Sequence, residues 1–310
     1  MVDQAPPLKV AVVGVGHFGT FHCEKIAALP EARLEAVVDV DMRKARSVAE
    51  RFKTTALDSV GELAGRVDAA VVAVPSKKHH MVASALLADG IDLLVEKPLA
   101  TSLADARELC YLAQSINSMI QVGHLERFNP ILPRALDDIR GPRFVKMNRL
   151  GPFPGRGADM NVVYELMIHD LDILKQLTSS KLIGVWAKGW KVVTDCEDMV
   201  VARLDFEDGL VAELNASRIS SEQVRNFSVL DSRGVLDVDL MARRMSRSSF
   251  TDGKQVIERA DSLEADPLLE QDRAFVQVAM NGKKPLVSGQ AAIGAVALAE
   301  TIVSALKEHT

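Results

Sequence analysis

The chain has 310 residues, 48% of them hydrophobic and 25% charged, with a formal net charge of −5. That size and balance suit a soluble globular protein of about two domains, and the negative sign speaks against nucleic acid as a partner. No run of about 18 uncharged apolar residues and no basic-then-apolar leader is seen, and Cys23, Cys110 and Cys196 lack metal-ligand spacing; the expectations are a reduced cytoplasmic setting, no membrane span, no disulfide framework and no metal.

The first element, LKVAVV, runs into Gly14-Val15-Gly16-His17-Phe18-Gly19 and then a helical pattern over Phe18–Leu29. This strand, glycine turn and helix start predict a dinucleotide site. Gly14 allows the tight turn, Gly16 lets backbone approach the pyrophosphate, and Gly19 lets the helix pack on the strand. The phosphates would rest on the free N–H groups at the helix start, beside His17 and Phe18. The next apolar run, LEAVVD, ends at Asp39, 20 residues after Gly19, where an acid holds the adenosine ribose. A 2′-phosphate 4 Å from that carboxylate would cost about 4 kcal/mol at an effective dielectric of 20. NAD is therefore expected over NADP. Arg43 and Lys44 follow closely; they either soften that repulsion or form a solvated helix face.

Strand and helix patterns go on alternating. DAAVVAV, IDLLVEK and SMIQVGH read as further strands, most of them continuous apolar runs of the kind buried on both faces. Helical periodicity covers Met42–Phe52, His79–Ala88 and Leu103–Ser115, the last with an N-cap at Thr101-Ser102. The predicted first domain, residues 1–124, is a doubly wound parallel sheet, whose ligands bind beyond the carboxyl ends of the strands. Two turns there stand out. In Val74-Pro75-Ser76-Lys77-Lys78-His79, Pro75 ends a strand under the nicotinamide side, and His79 either nears the cofactor or caps a helix. In Glu96-Lys97-Pro98, a strand end points an amine into the crevice, and a partly desolvated lysine there can accept a proton from a hydroxyl. The alternative for Glu96 and Lys97 is a surface ion pair.

Together GVGHFG, Asp39, VAVPSKKH and VEKPLA resemble the Gfo/Idh/MocA family of dehydrogenases over essentially the whole chain. The resemblance implies an N-terminal Rossmann domain and a C-terminal α/β domain, here residues 125–310, built on a large, mostly antiparallel open sheet. It implies a nicotinamide cofactor held also by the Glu96-Lys97 turn, oxidation of a sugar-like secondary alcohol, and a homodimer or homotetramer. The family's EKP lysine falls on Lys97 and its active-site histidine on His169, two residues that would meet at one alcohol oxygen. An aspartate usually stands four residues before that histidine; here the position is Glu165.

In the second half, HLERFNP places His124 along a pocket and Arg127 against either an anionic substrate or the domain junction. Residues 143–150 read as a strand, and the Gly/Pro loop over 151–159 offers Arg156 to a phosphate. The spacing predicts a helix over 162–177 with Glu165, His169, Asp172 and Gln176 on one face beside an apolar stripe. Glu165 and Asp172 join Arg127 and His124 as candidate substrate-binding residues. From 182 to 257 the period falls to two, with a hairpin at Asp208-Gly209, and helices follow over 266–281 and 290–307. HLERFNP, VVYELMIHDLDIL and NASRIS are similar to a branch of the family that oxidises the 3-hydroxyl of UDP-N-acetylglucosamine on the way to a lipid A precursor. Inositol-type dehydrogenases and non-catalytic NAD(P)-binding regulators are the alternatives.

Overall fold

A computed structural model of the chain describes residues 6–153, 155, 159–262 and 264–308; Arg156 lies outside the described residues. The chain forms two compact units. The first carries a six-stranded parallel sheet in the order β3-β2-β1-β4-β5-β6. Its strands are β1 (Leu8–Val13), β2 (Ala32–Val38), β3 (Thr55–Leu57), β4 (Ala69–Val72), β5 (Asp92–Glu96) and β6 (Ile120–Gly123). The strand order reverses between β1 and β4, the point where doubly wound sheets bind ligands.

The central strands are continuous Val, Ala and Leu because helices cover both faces; Val10, Val12, Val71 and Leu94 are fully buried. Each such side chain stabilises the fold by roughly 1.5–3 kcal/mol. Helices α1 (His17–Ala28), α2 (Met42–Phe52), α3 (His79–Ala88) and α4 (Leu103–Ser115) lie where the periodicity sets them. Ser102 accepts the Asp105 N–H at 3.1 Å as the α4 N-cap. Strand β3 lacks an alternating or apolar signature, having a single buried residue, Leu57.

The first unit ends at Leu125 and resumes over Asp266–Val296. The expected division into 1–124 and 125–310 therefore does not hold for α7 (Pro267–Asn281). Phe275 and Val276 of that helix join Val10, Val12 and Ile26 in one apolar cluster, so its buried stripe completes the first core.

The second unit holds an eight-stranded sheet in the order β14-β13-β12-β11-β7-β10-β9-β8, antiparallel except between β10 and β7. The strands are β7 (Phe144–Leu150), β8 (Leu182–Trp190), β9 (Met199–Phe206), β10 (Val211–Ser217), β11 (Val224–Asp231), β12 (Gly234–Asp239), β13 (Arg244–Thr251) and β14 (Lys254–Asp261). Along β9, Val200, Ala202, Leu204 and Phe206 are buried while Val201, Arg203 and Asp205 face outward. Gly209 adopts a φ of +85° in the β9–β10 hairpin, a conformation that glycine tolerates best.

Helix α5 (Ile131–Asp138) starts at the Asn129-Pro130 signal, and Asn129 accepts the Ile131 N–H at 3.4 Å. The expected 162–177 helix is divided: a π-helical turn over Val163–Met167 precedes α6 (Ile168–Leu177). Helix α8 (Gly289–Glu308) contains an 18-residue window, Gly289–Leu306, with a mean hydropathy of 1.5. By length and composition that segment is long and apolar enough to cross a membrane, although Glu300 within it means that it is not the uncharged run whose absence the sequence showed. Half of it is buried in the protein, and core packing accounts for its apolar character.

Candidate active site

In the first unit, the turn after β1 is shaped by what cannot fit. Gly14 has a φ of +87°, and a Cβ there would stand 2.8 Å from the Ala73 carbonyl oxygen. A Cβ on Gly19 would stand 1.8 Å from the Gly14 carbonyl oxygen. Gly16 is the contrast: a Cβ there meets nothing within 4 Å. No side chain caps Gly16, and the first turn of α1 holds no acid, so no carboxylate of the helix offsets its positive dipole end, which favours an anion. His17 and Phe18 are exposed beside it, the His17 ring set edge-on to Phe18 at 5.5 Å and to Phe21 at 4.6 Å.

Asp39 stands just past β2. Its Oδ2 accepts the Val15 N–H at 3.0 Å and its Oδ1 the Asp41 N–H at 2.9 Å. These bonds aim the carboxylate, and each oxygen keeps a second lone pair for a ribose hydroxyl. Arg43 leans on Asp41 at 3.4 Å and is almost fully exposed, a solvated helix face. The residues at Gly14, Gly16, Gly19 and Asp39 thus fit a dinucleotide. Gly16→Ala is expected to leave the melting temperature within about 2 °C and to weaken NAD⁺ binding at least tenfold, since the added methyl occupies only ligand space. Gly19→Ala should instead destabilise the fold. Calorimetric titration and thermal melting of both variants check this, and equal behaviour would refute it.

At the end of β5, Lys97 is half-buried and the Lys97–Pro98 peptide bond is cis. Glu96 does not form a surface pair. Its Oε1 lies 3.2 Å from His22 Nε2, and its Oε2 accepts the Lys97 backbone N–H at 3.3 Å. His22 Nδ1 lies 2.9 Å from Asp272. Burial alone would lower the His22 pKa, but Asp272 and Glu96 outweigh it and carry it up to about 10. His22 thus stands between two carboxylates, one within hydrogen-bond distance of each ring nitrogen, and burial holds the Asp272 pKa above the ordinary carboxylate value. Glu96, expected against the cofactor, has its carboxylate engaged here instead. Gly123 makes room for it, because a Cβ there would stand 2.5 Å from Glu96 Oε1.

His79 also departs from the expected cofactor contact. It is 1% exposed, with Nδ1 2.7 Å from the Pro98 carbonyl oxygen and Nε2 2.9 Å from that of Val74. The ring fastens the Lys97-Pro98 turn to the end of β4, and burial holds its pKa below the ordinary histidine value. Pro75 is exposed at the head of the short turn before α3. His124 is buried, and its backbone N–H donates to the Val122 carbonyl at 2.8 Å.

In the second unit, the π turn and α6 carry the remaining candidates. Glu165 is half-buried, and its Oε2 accepts from Arg218 Nη1 at 2.9 Å. Arg218, in the NASRIS segment, is 2% exposed and also donates to Asp198 Oδ1 at 2.8 Å and Thr194 Oγ1 at 2.8 Å. Glu165 is thereby fixed one turn before His169, which is half-buried. Asp172 and Gln176 do not share that environment: Asp172 is 1% exposed and Gln176 is on the surface. The Asp172 carboxylate meets Arg127 Nε at 2.9 Å, so these two charges, expected to hold substrate, compensate each other. Asp170 is structural, accepting from Arg149 Nε at 3.1 Å and Nη2 at 2.8 Å.

Two domain matches agree with this division of labour. Residues 8–124 match the oxidoreductase family, NAD-binding Rossmann fold, of Gfo/Idh/MocA, and residues 147–237 match the Gfo/Idh/MocA C-terminal domain. A UDP-N-acetylglucosamine 3-dehydrogenase from Acidithiobacillus ferrooxidans is 34% identical over 76% of this chain and 74% of its own. The chain belongs to the Gfo/Idh/MocA family. Within it, the solved structure of the A. ferrooxidans UDP-N-acetylglucosamine 3-dehydrogenase superposes with a TM-score of 0.91, at 29% identity over 98% of this chain and 99% of that one. An inositol 2-dehydrogenase from Rubrobacter xylanophilus is 26% identical over 83% of this chain and 78% of its own. As a Gfo/Idh/MocA protein the chain is an oxidoreductase with an NAD-binding Rossmann domain. The members of its site that the sequence did not reveal are His22, Asp272, Arg218 and Asp198. A histidine and an aspartate at core positions of α1 and α7 were the available signal.

Proposed function

We propose that this chain oxidises a secondary alcohol of a sugar, the 3-hydroxyl of UDP-N-acetylglucosamine, with NAD⁺. NAD⁺, when bound, supplies the hydride acceptor. Gly14, Gly16, Gly19 and the start of α1 hold its pyrophosphate, and Asp39 orients its ribose. Lys97 polarises and positions the alcohol oxygen, and His169 takes the hydroxyl proton as general base. Glu165, anchored by Arg218, keeps a carboxylate one turn before His169 and restricts how that helix can place the imidazole. The observation that carries the choice of substrate is the A. ferrooxidans dehydrogenase, similar in sequence over three quarters of each chain and in fold over nearly all of both.

The inositol 2-dehydrogenase relative supports a second reading, in which the substrate is a free polyol. The two separate in one assay. NADH formation, followed at its absorbance band, is expected with UDP-N-acetylglucosamine at a kcat/KM at least a hundredfold above that for myo-inositol or free glucose. A preference for a free polyol would reject the nucleotide sugar and retain the dehydrogenase.

A further inference from the structure

Three ionisable groups, two fully buried and one largely so, have no part in hydride or proton transfer: His22 on α1, Asp272 on α7 and Glu96 at the end of β5. His22 and Asp272 are both fully buried. The carboxylate of Asp272 spans His22 Nδ1 with both oxygens, at 2.9 and 3.0 Å. On the other side of the ring, Nε2 reaches Glu96 at 3.2 Å, and the second oxygen of Glu96 accepts the N–H of Lys97 at 3.3 Å. Along this line one imidazole stands between two carboxylates, and the second carboxylate ends on the Lys97 backbone N–H. Burying three such groups costs several kcal/mol apiece before pairing, which an apolar core at the same place would avoid. All the neighbouring packing accommodates the array. Gly123 leaves the space that Glu96 fills, and His79 holds the far side of the same turn through the Pro98 carbonyl.

We infer that His22 and Asp272 are positioning residues for Lys97, acting through Glu96. Neither is asked to touch substrate or cofactor. Asp272 fixes the ring of His22, His22 fixes the Glu96 carboxylate, and Glu96 fixes the backbone from which the Lys97 side chain departs. The array starts on α7, passes through α1, whose start is proposed to receive the pyrophosphate, and ends at the EKP turn, so it ties that helix and the lysine to one frame. This inference rests on the proposed role of Lys97, and the experiment separates the two.

His22→Gln, Asp272→Asn, Glu96→Gln and the double variant His22→Gln/Glu96→Gln are compared with the parent protein. His22→Gln should lower kcat by about a hundredfold, the scale of an ångström of misplacement, while KM for NAD⁺ stays within threefold. In the Glu96→Gln background the same substitution should cost less than threefold further, because the route through Glu96 is already cut. A full loss in both backgrounds, or an unchanged kcat in His22→Gln, would overturn the inference. Amide hydrogen exchange supplies a readout independent of any substrate. The Lys97 N–H should exchange at least tenfold faster in His22→Gln and Asp272→Asn, with the amides of Leu93, Leu94 and Val95 within twofold of the parent. Equal acceleration along β5, or none at Lys97, would show a merely structural pair. A parent protein that oxidises no sugar would end the proposed function, and the exchange measurement would still decide the array.

Discussion

Replacing Lys97 with alanine is expected to lower kcat on the nucleotide sugar between a hundredfold and ten-thousandfold, the range that a placed acid–base group contributes. The dissociation constant for NAD⁺ should change by less than tenfold. In the proposed binding mode pyrophosphate and ribose rest on the glycine turn and on Asp39, whose carboxylate is oriented by the Val15 and Asp41 N–H groups and owes nothing to Lys97. His169→Ala should give a loss in the same range, again with NAD⁺ binding kept. The double variant should be little worse than the slower single one, because groups that serve one proton transfer are strongly non-additive. Steady-state NADH formation, with NAD⁺ titrated separately by calorimetry, measures both quantities. Turnover within threefold of the parent in either single variant would remove that residue from the mechanism. A loss confined to KM for NAD⁺ would recast Lys97 as a cofactor ligand.

The first-unit features were legible because each is announced locally: a glycine turn after an apolar strand, an acid at the end of the next, and a lysine closing β5 each show within a few residues of sequence. A parallel sheet then carries all of them to its carboxyl edge. The helix limits at Met42–Phe52, His79–Ala88 and Leu103–Ser115 followed from apolar periodicity and turn residues for the same reason.

What stayed hidden depends on partners far away in the chain. His22 meets Asp272 across 250 positions, and neither side chain's neighbours in sequence carry the information. The two readings weighed for His79, cofactor contact or helix cap, both fail for a related reason. Its partners are backbone carbonyls at Val74 and Pro98, and any residue supplies those. The π turn over Val163–Met167 is invisible to a 3.6-residue period. It also changes the alignment on which the shared face of Glu165, Asp172 and Gln176 was built. Glu165 and Asp172 were read from that face as substrate-binding. In the fold each answers an arginine from another element, as the structural Asp170 also does.

Those arginines carry the largest stability effect. Arg149, on β7, donates to Glu126 Oε1 at 2.9 Å and to Asp170 Oδ1 at 2.8 Å, and all three side chains are nearly or fully buried. Arg149→Met keeps the length of the side chain and removes its charge, which strips both carboxylates of their hydrogen-bonded cation and leaves only Arg225, across the β11–β7 pair, nearby. Breaking a buried pair in this way costs about 3–5 kcal/mol. For a unit of this size the loss lowers the melting temperature by on the order of 10 °C. The pH dependence follows from the acids. In the parent, burial would raise the Glu126 pKa, but Arg149 overcomes it and holds it below the ordinary value. Its contribution is therefore present above the unfolded-state pKa and lost as pH falls through the folded one. Asp170 differs: burial outweighs Arg149 there and holds its pKa above the ordinary value even in the parent. In the variant Glu126 changes sign and joins it, and the penalty of both acids shrinks as falling pH protonates them. The gap in melting temperature between parent and variant should thus be widest near pH 7.5 and narrow toward pH 5. A triple variant, Arg149→Met with Glu126→Leu and Asp170→Leu, should recover much of the loss, since no buried charge is stranded. A gap of less than about 2 °C at pH 7.5, or one that widens on acidification, would show that Arg149 does not neutralise these two acids in the folded protein.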